Sequence, residues 1–290
     1  MRSGKKSLLL QTKTSKTTMK KHLLILATLC AVAICMNAQP DSGREENLLI
    51  KNEERTIFGV LSRPSVGNKK QPVAIVAHGF NGGHQYGKNY FDTLNSIGYQ
   101  CYTFDFPCGS THSQSDPNTM NMSIKDEQSD LQAIVKHFKN QPDVDASRIV
   151  LIGESQGGLV SALAAAEKPK DISKLILVFP AFCIPDNWNA HYPRLEDIPD
   201  TTRLWNVPMG RRFFTEIHDM KPYEEIGKYK KPVLIIHGDA DPIVPIGYSN
   251  RAVEVYKNAQ LRVIPNAGHG FKPHELHQSL EWIKEFLSND

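Results

Sequence analysis

Short runs of β-branched and aromatic residues alternate with amphipathic stretches along most of this chain. Leu48-Leu-Ile-Lys51 and Thr56-Ile-Phe-Gly-Val-Leu61 alternate apolar and polar positions on either side of Asn52-Glu53-Glu54, which predicts an antiparallel hairpin on a sheet edge. Residues 72–77, 99–104, 148–153, 174–179, 231–237 and 260–264 are too short for buried helices and read as strands. Helical patterns lie between them. One spans residues 90–97, and one runs from Gln156 to Ala166, stopping near Lys168-Pro169 because proline cannot continue it. A third is opened by Ser123, with Asp126 three residues on and Ile124, Leu131, Ile134, Val135 and Phe138 along one face. Strands alternating with helices predict an α/β fold, a mostly parallel central sheet with helices on both faces.

One interval breaks this rhythm. After residues 174–179 no clear strand returns until Pro232, and the stretch between is rich in proline, aromatic and charged residues. A structureless loop of that length is rare in a compact domain, so residues 181–223 are expected to form a cap inserted into a core of residues 39–180 and 224–290. Its Phe182, Trp188, Tyr192, Trp205, Phe213, Phe214 and Tyr223 suit either an aromatic-binding pocket or the cap's own core.

Candidate chemistry lies in the turns after three of the strands. Residues 148–153 run into Gly153-Glu154-Ser155-Gln156-Gly157 and then into a helical pattern. Strand, sharp turn and helix place Ser155 at an elbow, and Gly153, Gly157 and Gly158 give room for close crossing. Residues 231–237 end in Gly238-Asp239-Ala240-Asp241, two carboxylates at the C-terminal end of a parallel strand, where open α/β sheets bind ligands. The last strand leads into Pro265-Asn-Ala-Gly-His-Gly-Phe271. Among eleven histidines, His269 is the one this loop would return over the elbow; His218, His274 and His277 read as solvated, while His84 and His112 stay in contention. Serine, carboxylate and histidine in this order supply a nucleophile, an acid that fixes a tautomer and a general base. The charge that develops on an attacked carbonyl oxygen needs two N–H donors. Gln156, next to the nucleophile, offers one, and the glycine-rich loop His78-Gly79-Phe80-Asn81-Gly82-Gly83 is placed to offer the other.

Composition narrows the function classes. The chain has 290 residues, 40% of them apolar, which is enough for a sizeable core, and its formal charge of +3 is scattered, with no basic stripe interleaved with aromatics. Nucleic acid is therefore not an expected partner. Neither G-x-x-x-x-G-K-[ST] nor G-x-G-x-x-G occurs, and no C-x-x-C or H-x-x-x-H follows residue 38, so neither a nucleotide nor a metal cofactor is expected.

At the N-terminus Met19-Lys20-Lys21 precedes an apolar run, residues 23–36, that is short for a membrane span. It reads as a secretory signal peptide covering residues 1–38, with cleavage after Ala38 and with Met19 as a second candidate start. Export to the periplasm or beyond follows, without stable membrane insertion after cleavage; an uncleaved anchor and lipidation at Cys30 or Cys35 are the lesser alternatives. Removal leaves Cys101, Cys108 and Cys183, an odd number that cannot all pair. A bridge from Cys101 or Cys108 to Cys183 competes with Cys101 as a small buried hydrophobe.

His78-Gly79-Phe80, Gly153-Glu-Ser-Gln-Gly-Gly158, Asp241, Gly268-His269 and a cap of this size in this position carry a resemblance. Over residues 48–287 the chain resembles the α/β-hydrolase superfamily and, within it, the bacterial cinnamoyl/feruloyl esterases. The resemblance implies the α/β-hydrolase fold and a catalytic triad of Ser155, Asp241 and His269. Asp241 is preferred to Asp239 because the similar sequences read G-x-x-D-x-x-V. It also implies an oxyanion hole from the Phe80 and Gln156 N–H groups. In those esterases a cap aspartate holds the substrate's phenolic hydroxyl, and Asp186 aligns with it; Trp188, Phe213 and Phe214 complete the expected substrate contacts. A cap tyrosine of the family falls near Phe213-Phe214, a departure that removes one hydroxyl. The expected activity is cleavage of a small-molecule hydroxycinnamoyl ester, derived from a plant polymer, through an acyl-enzyme. A serine peptidase of the prolyl or aminopeptidase type and a short-chain esterase or lipase are the enzymatic alternatives. A non-catalytic binding module would be expected to have lost a triad residue. A monomer and a homodimer both stay open.

Overall fold

The computed structural model describes residues 43–65 and 70–288. The segment read as a signal peptide, with Met19, Cys30, Cys35 and the cleavage point at Ala38, lies outside the described residues. No helix among the described residues is long and apolar enough to cross a membrane.

β1 (Arg44–Asn52) and β2 (Arg55–Arg63) form the expected antiparallel hairpin, and the period of two buries Ile50 while exposing Leu49. β3 (Gln71–Ala77), α1 (His84–Gly87), α2 (Phe91–Ser96) and β4 (Gln100–Phe104) follow, then α3 (Ile124–Lys139), β5 (Val144–Glu154), α4 (Gln156–Glu167) and β6 (Lys174–Val178). The inserted stretch holds α5 (Ile184–His191), β7 (Thr201–Leu204), β8 (Val207–Gly210) and α6 (Arg211–Ile217). α7 (Pro222–Ile226), β9 (Val233–Gly238), α8 (Gly247–Val255), β10 (Ala259–Ile264) and α9 (Pro273–Ser288) complete the fold.

Eight strands make one sheet in the order β1-β2-β4-β3-β5-β6-β9-β10. Only the β1–β2 and β2–β4 pairings are antiparallel; β4, β3, β5, β6, β9 and β10 run parallel. The side chains of the central strand β5 divide between two cores. Ile149 and Leu151 join the apolar face of α3, where Leu131, Ile134 and Phe138 lie, while Val150 and Ile152 join Phe91 and Leu94 of α2 and Ile283 of α9. With the strands parallel, the loops after β3, β5, β6, β9 and β10 emerge along one edge, and the candidate residues meet there.

Two elements differ from the reading of the sequence. The stretch read as strandless contains the β7–β8 hairpin, whose two-residue turn, Trp205-Asn206, has both residues at positive φ, 48° and 67°. Such a turn is normally signalled by Asn-Gly or Asp-Gly, and a tryptophan at its first position hides it. Helix α8 has no counterpart among the expected helices, because Gly247-Tyr-Ser-Asn has no strong apolar period.

The inserted stretch is latched to the N-terminus of α3. Ser123 caps that helix, its Oγ accepting from the Asp126 N–H at 3.1 Å, and the same hydroxyl donates to Glu216 of α6 at 2.6 Å. Glu216 also accepts the Lys125 N–H at 2.5 Å, and Arg212 forks onto Asp126 at 2.7 and 2.9 Å.

Candidate active site

Ser155 occupies a sharp bend between β5 and α4, with φ 51° and ψ −118°, a region that L-residues seldom visit. The bend is possible because the backbones nearly touch. A Cβ on Gly153 would lie 2.4 Å from the Gly157 carbonyl oxygen, and one on Gly157 would lie 2.4 Å from those of Ala77 and His78. Ser155 N–H donates to Val178 O at 3.0 Å and its carbonyl accepts Ala181 N–H at 2.8 Å, which ties the elbow to the strand beside it.

His269 stands over this serine. Its Nε2 is 3.0 Å from Ser155 Oγ and its Nδ1 is 2.7 Å from Asp241 Oδ2. A carboxylate can only accept, so Nδ1 carries the proton and Nε2 presents its lone pair to the hydroxyl. Burial alone would raise the Asp241 carboxyl. Hydrogen bonds from His237, His269 and the Val244 and Ile243 N–H groups outweigh burial and hold it well below the usual carboxylate range. Asp239 lies apart from this chain, exposed and accepting the Asn266 N–H at 2.6 Å, which is a turn role.

The loop after β3 lies against the elbow so closely that a Cβ on Gly79 would stand 2.9 Å from Ser155 Cβ. The Gly79 carbonyl accepts from His78 Nδ1 at 2.7 Å and from Gly82 N–H at 3.0 Å. A trans peptide points its N–H opposite to its C=O, so these two bonds fix the direction of the Phe80 N–H. His78 Nε2 accepts the Phe106 N–H at 3.0 Å, a role open only to a neutral ring, and burial pushes this imidazole below its ordinary value. Phe80, Ser155 and Gln156 all border one cavity.

That cavity, about 370 Å³, lies between the sheet edge and the inserted stretch. Trp188 of α5 and Phe213 of α6 form its walls, and Trp205, 61% exposed, meets Phe80 edge-on at 5.9 Å. Two expected contacts are not on the wall. Asp186 is exposed and accepts the Tyr248 hydroxyl at 3.1 Å. Phe214 is buried in a cluster with Trp188, Tyr192 and Phe213, at centroid distances of 4.6, 5.7 and 5.3 Å. Successive residues on a helix face different ways, which separates Phe213 from Phe214 and Asp186 from the lining residue Asn187. Beyond Ser155 and Gln156, the polar residues of the lining are Asn187, His191, Thr202 and Arg203, which the sequence did not single out. The last two sit on the unrecognised hairpin.

The other histidines in contention lie elsewhere. His84 is buried against Asp105 at 2.8 Å, and His112 lies beside Thr111 in an exposed loop. Cys101, Cys108 and Cys183 are free and buried, so the bridge to Cys183 does not form; Cys183 borders the cavity, and burial pushes its thiol up to about 11. Two buried acids flank the elbow. Glu127 accepts from Gln156 Nε2 at 2.9 and 3.0 Å, and Glu154 accepts the Tyr90 hydroxyl; burial pushes each up to about 8. Among the described residues no cluster of three or more His, Cys, Asp or Glu could hold a metal ion.

Residues 90–290 match the model of the prolyl oligopeptidase family. Among solved structures, Est1E from Butyrivibrio proteoclasticus with ferulic acid bound is 30% identical, with a TM-score of 0.76 over 83% of this chain and 98% of that one. An uncharacterised protein of Mycobacterium tuberculosis is 24% identical over 79% of this chain and 73% of its own length. Mouse monoacylglycerol lipase ABHD6 is 23% identical over 48% of this chain and 54% of its own.

Proposed function

The chain belongs to the prolyl oligopeptidase family, with the α/β-hydrolase fold, and within it we propose an exported serine esterase that cleaves hydroxycinnamoyl esters through an acyl-enzyme. The observation that carries the reading is the Ser155–His269–Asp241 hydrogen-bond chain opening onto an aromatic-walled cavity.

In this reading His269 Nε2 takes the Ser155 proton as Oγ bonds to the ester carbonyl carbon. Asp241 holds the imidazole tautomer and stabilises the imidazolium, and the Phe80 and Gln156 N–H groups receive the oxyanion. The imidazolium then protonates the departing alcohol. A water, deprotonated by the same histidine, releases the acid. Trp188 and Phe213 are suited to an aromatic acyl group, and Est1E with ferulic acid bound supports that choice. Asp186 is not among the lining residues, and in this reading orientation of a phenolic ring falls to Asn187, His191 and Thr202.

The family match favours peptide cleavage as the second reading. Against an aminopeptidase stands the cavity wall, which among the described residues bears no carboxylate to pair with a substrate's amino terminus. The test is a hydrolysis panel of methyl ferulate, methyl p-coumarate, p-nitrophenyl butyrate and an aminoacyl anilide. The esterase reading expects the two hydroxycinnamates to be turned over best; dominance of the anilide would replace it with the peptidase.

A further inference from the structure

Phe179 follows β6 directly and holds φ at 36°, a backbone state that a bulky side chain adopts only under constraint from its surroundings. The constraint is visible. Phe179 N–H donates to Ile236 O at 2.8 Å, and its neighbours Val178 and Ala181 are bonded to the Ser155 backbone on either side of it. The two strained residues, Ser155 and Phe179, are therefore tied to each other. The strain places an aromatic ring, only 3% exposed, with its centroid 4.7 Å from that of His269. Phe271 packs edge-on against Phe179 at 4.9 Å and holds the ring in position. Phe179 does not border the cavity, so substrate contact does not account for it.

We propose that Phe179 is a positioning residue for His269, fixing the imidazole against Asp241 and, through its π electrons, favouring the imidazolium formed when Ser155 gives up its proton. The proposal rests on His269 acting as the base. In the step concerned, a proton passes from Ser155 Oγ to His269 Nε2 while Oγ bonds to the acyl carbon, and the positive charge appears on a ring within cation–π range of Phe179. Asp241 cannot supply this contact, since its carboxylate meets only the Nδ1 edge. The titratable group bonded to His269 is Asp241, which has His237 at 3.3 Å and acts on the Cys183 thiol, while Glu154 lies in the strand register opposite Val178.

The experiment compares Phe179→Leu, which keeps apolar bulk but removes the ring, with Phe179→Tyr, which keeps the ring, and with Ser155→Ala. The readouts are kcat and KM on one ester and the acid limb of kcat/KM against pH. Phe179→Leu is expected to lower kcat about threefold with KM unchanged and to move the acid limb down by about half a pH unit, while Phe179→Tyr stays at wild type. Phe179→Met serves the same comparison if the leucine variant does not fold. Wild-type kcat and acid limb in the ring-less variant, or a lower kcat with an unmoved limb, overturns the proposal. Retention of turnover by Ser155→Ala would instead overturn the reading beneath it.

Discussion

The strand ends that carry Ser155, Asp241 and His269 and the inserted stretch that roofs them are held in place by different forces. At the strand ends the constraints are mostly backbone: the elbow is bonded to Val178 and Ala181, and Asp241 receives two N–H groups from its own turn. In the roof they are side chains: an aromatic cluster of Trp188, Tyr192, Phe213 and Phe214, and the Glu216 and Arg212 latch on α3. Backbone hydrogen bonds survive most substitutions, whereas side-chain packing changes with each one. On the proposed function, the chemistry would thereby be insulated from changes in the cavity wall, in keeping with the way one fold serves many substrates.

Substitutions at the strand ends should therefore abolish turnover, and those in the roof should redirect it. Ser155→Ala is expected to fold normally and lose activity by about 10³-fold or more on every ester of the panel, read as kcat beside a far-UV spectrum. Asp241→Asn comes next, at about 10³-fold or somewhat less. The carboxylate accepts two N–H groups on Oδ1 and His269 on Oδ2, and an amide has only one acceptor oxygen to share between them. A kcat within tenfold of wild type would show that Asp241 does not set the tautomer. In the roof, Phe213→Ala is expected to cut the preference for methyl ferulate over p-nitrophenyl butyrate by about tenfold, the scale of a lost aromatic contact. An unchanged ratio of kcat/KM values would remove Phe213 from the acyl site.

The smallest effect is on stability. Glu154, pushed up to about 8 by burial, keeps its proton in the folded chain at pH values where the unfolded chain has lost it. Its contribution is thus fully present below the ordinary carboxylate range and is lost as pH rises toward 8. Glu154→Gln, whose amide oxygen can still accept from Tyr90, should flatten this decline and raise the melting temperature at pH 9 by about 3 °C relative to wild type. Asp241 acts in the opposite direction. Its depressed carboxyl stabilises the fold above the ordinary carboxylate range, and that contribution is lost only in strong acid as pH falls through its folded value.

The order and type of the core elements were legible in the sequence because each buried strand writes its own signature. Residues 148–153 and 231–237 can be little else, and the Ser123 cap announces α3 before any contact is known. Ser155 and His269 were legible as candidates for the same reason, each following a strand whose direction is dictated by alternation with helices; the choice of Asp241 over Asp239, two residues apart after one strand, came from the family resemblance, and the His269 contact to Asp241 Oδ2 agrees with it. The roof offers no such rule. Whether Phe213 or Phe214 faces the cavity, and whether Asp186 or Asn187 does, depends on the rotation of a short helix about its axis, which packing against distant residues decides. The β7–β8 turn has tryptophan where glycine or asparagine is usual, and its hairpin packs so closely on a distant loop that a Cβ on Gly210 would lie 2.2 Å from the Met120 carbonyl oxygen. The placement of Phe179 against His269 belongs to the same class. The chain determines by itself which residues can do chemistry and in what order they arrive, since that follows from local periodicity; which side chains meet was decided only when strands far apart in sequence paired, since such contacts have no local signature.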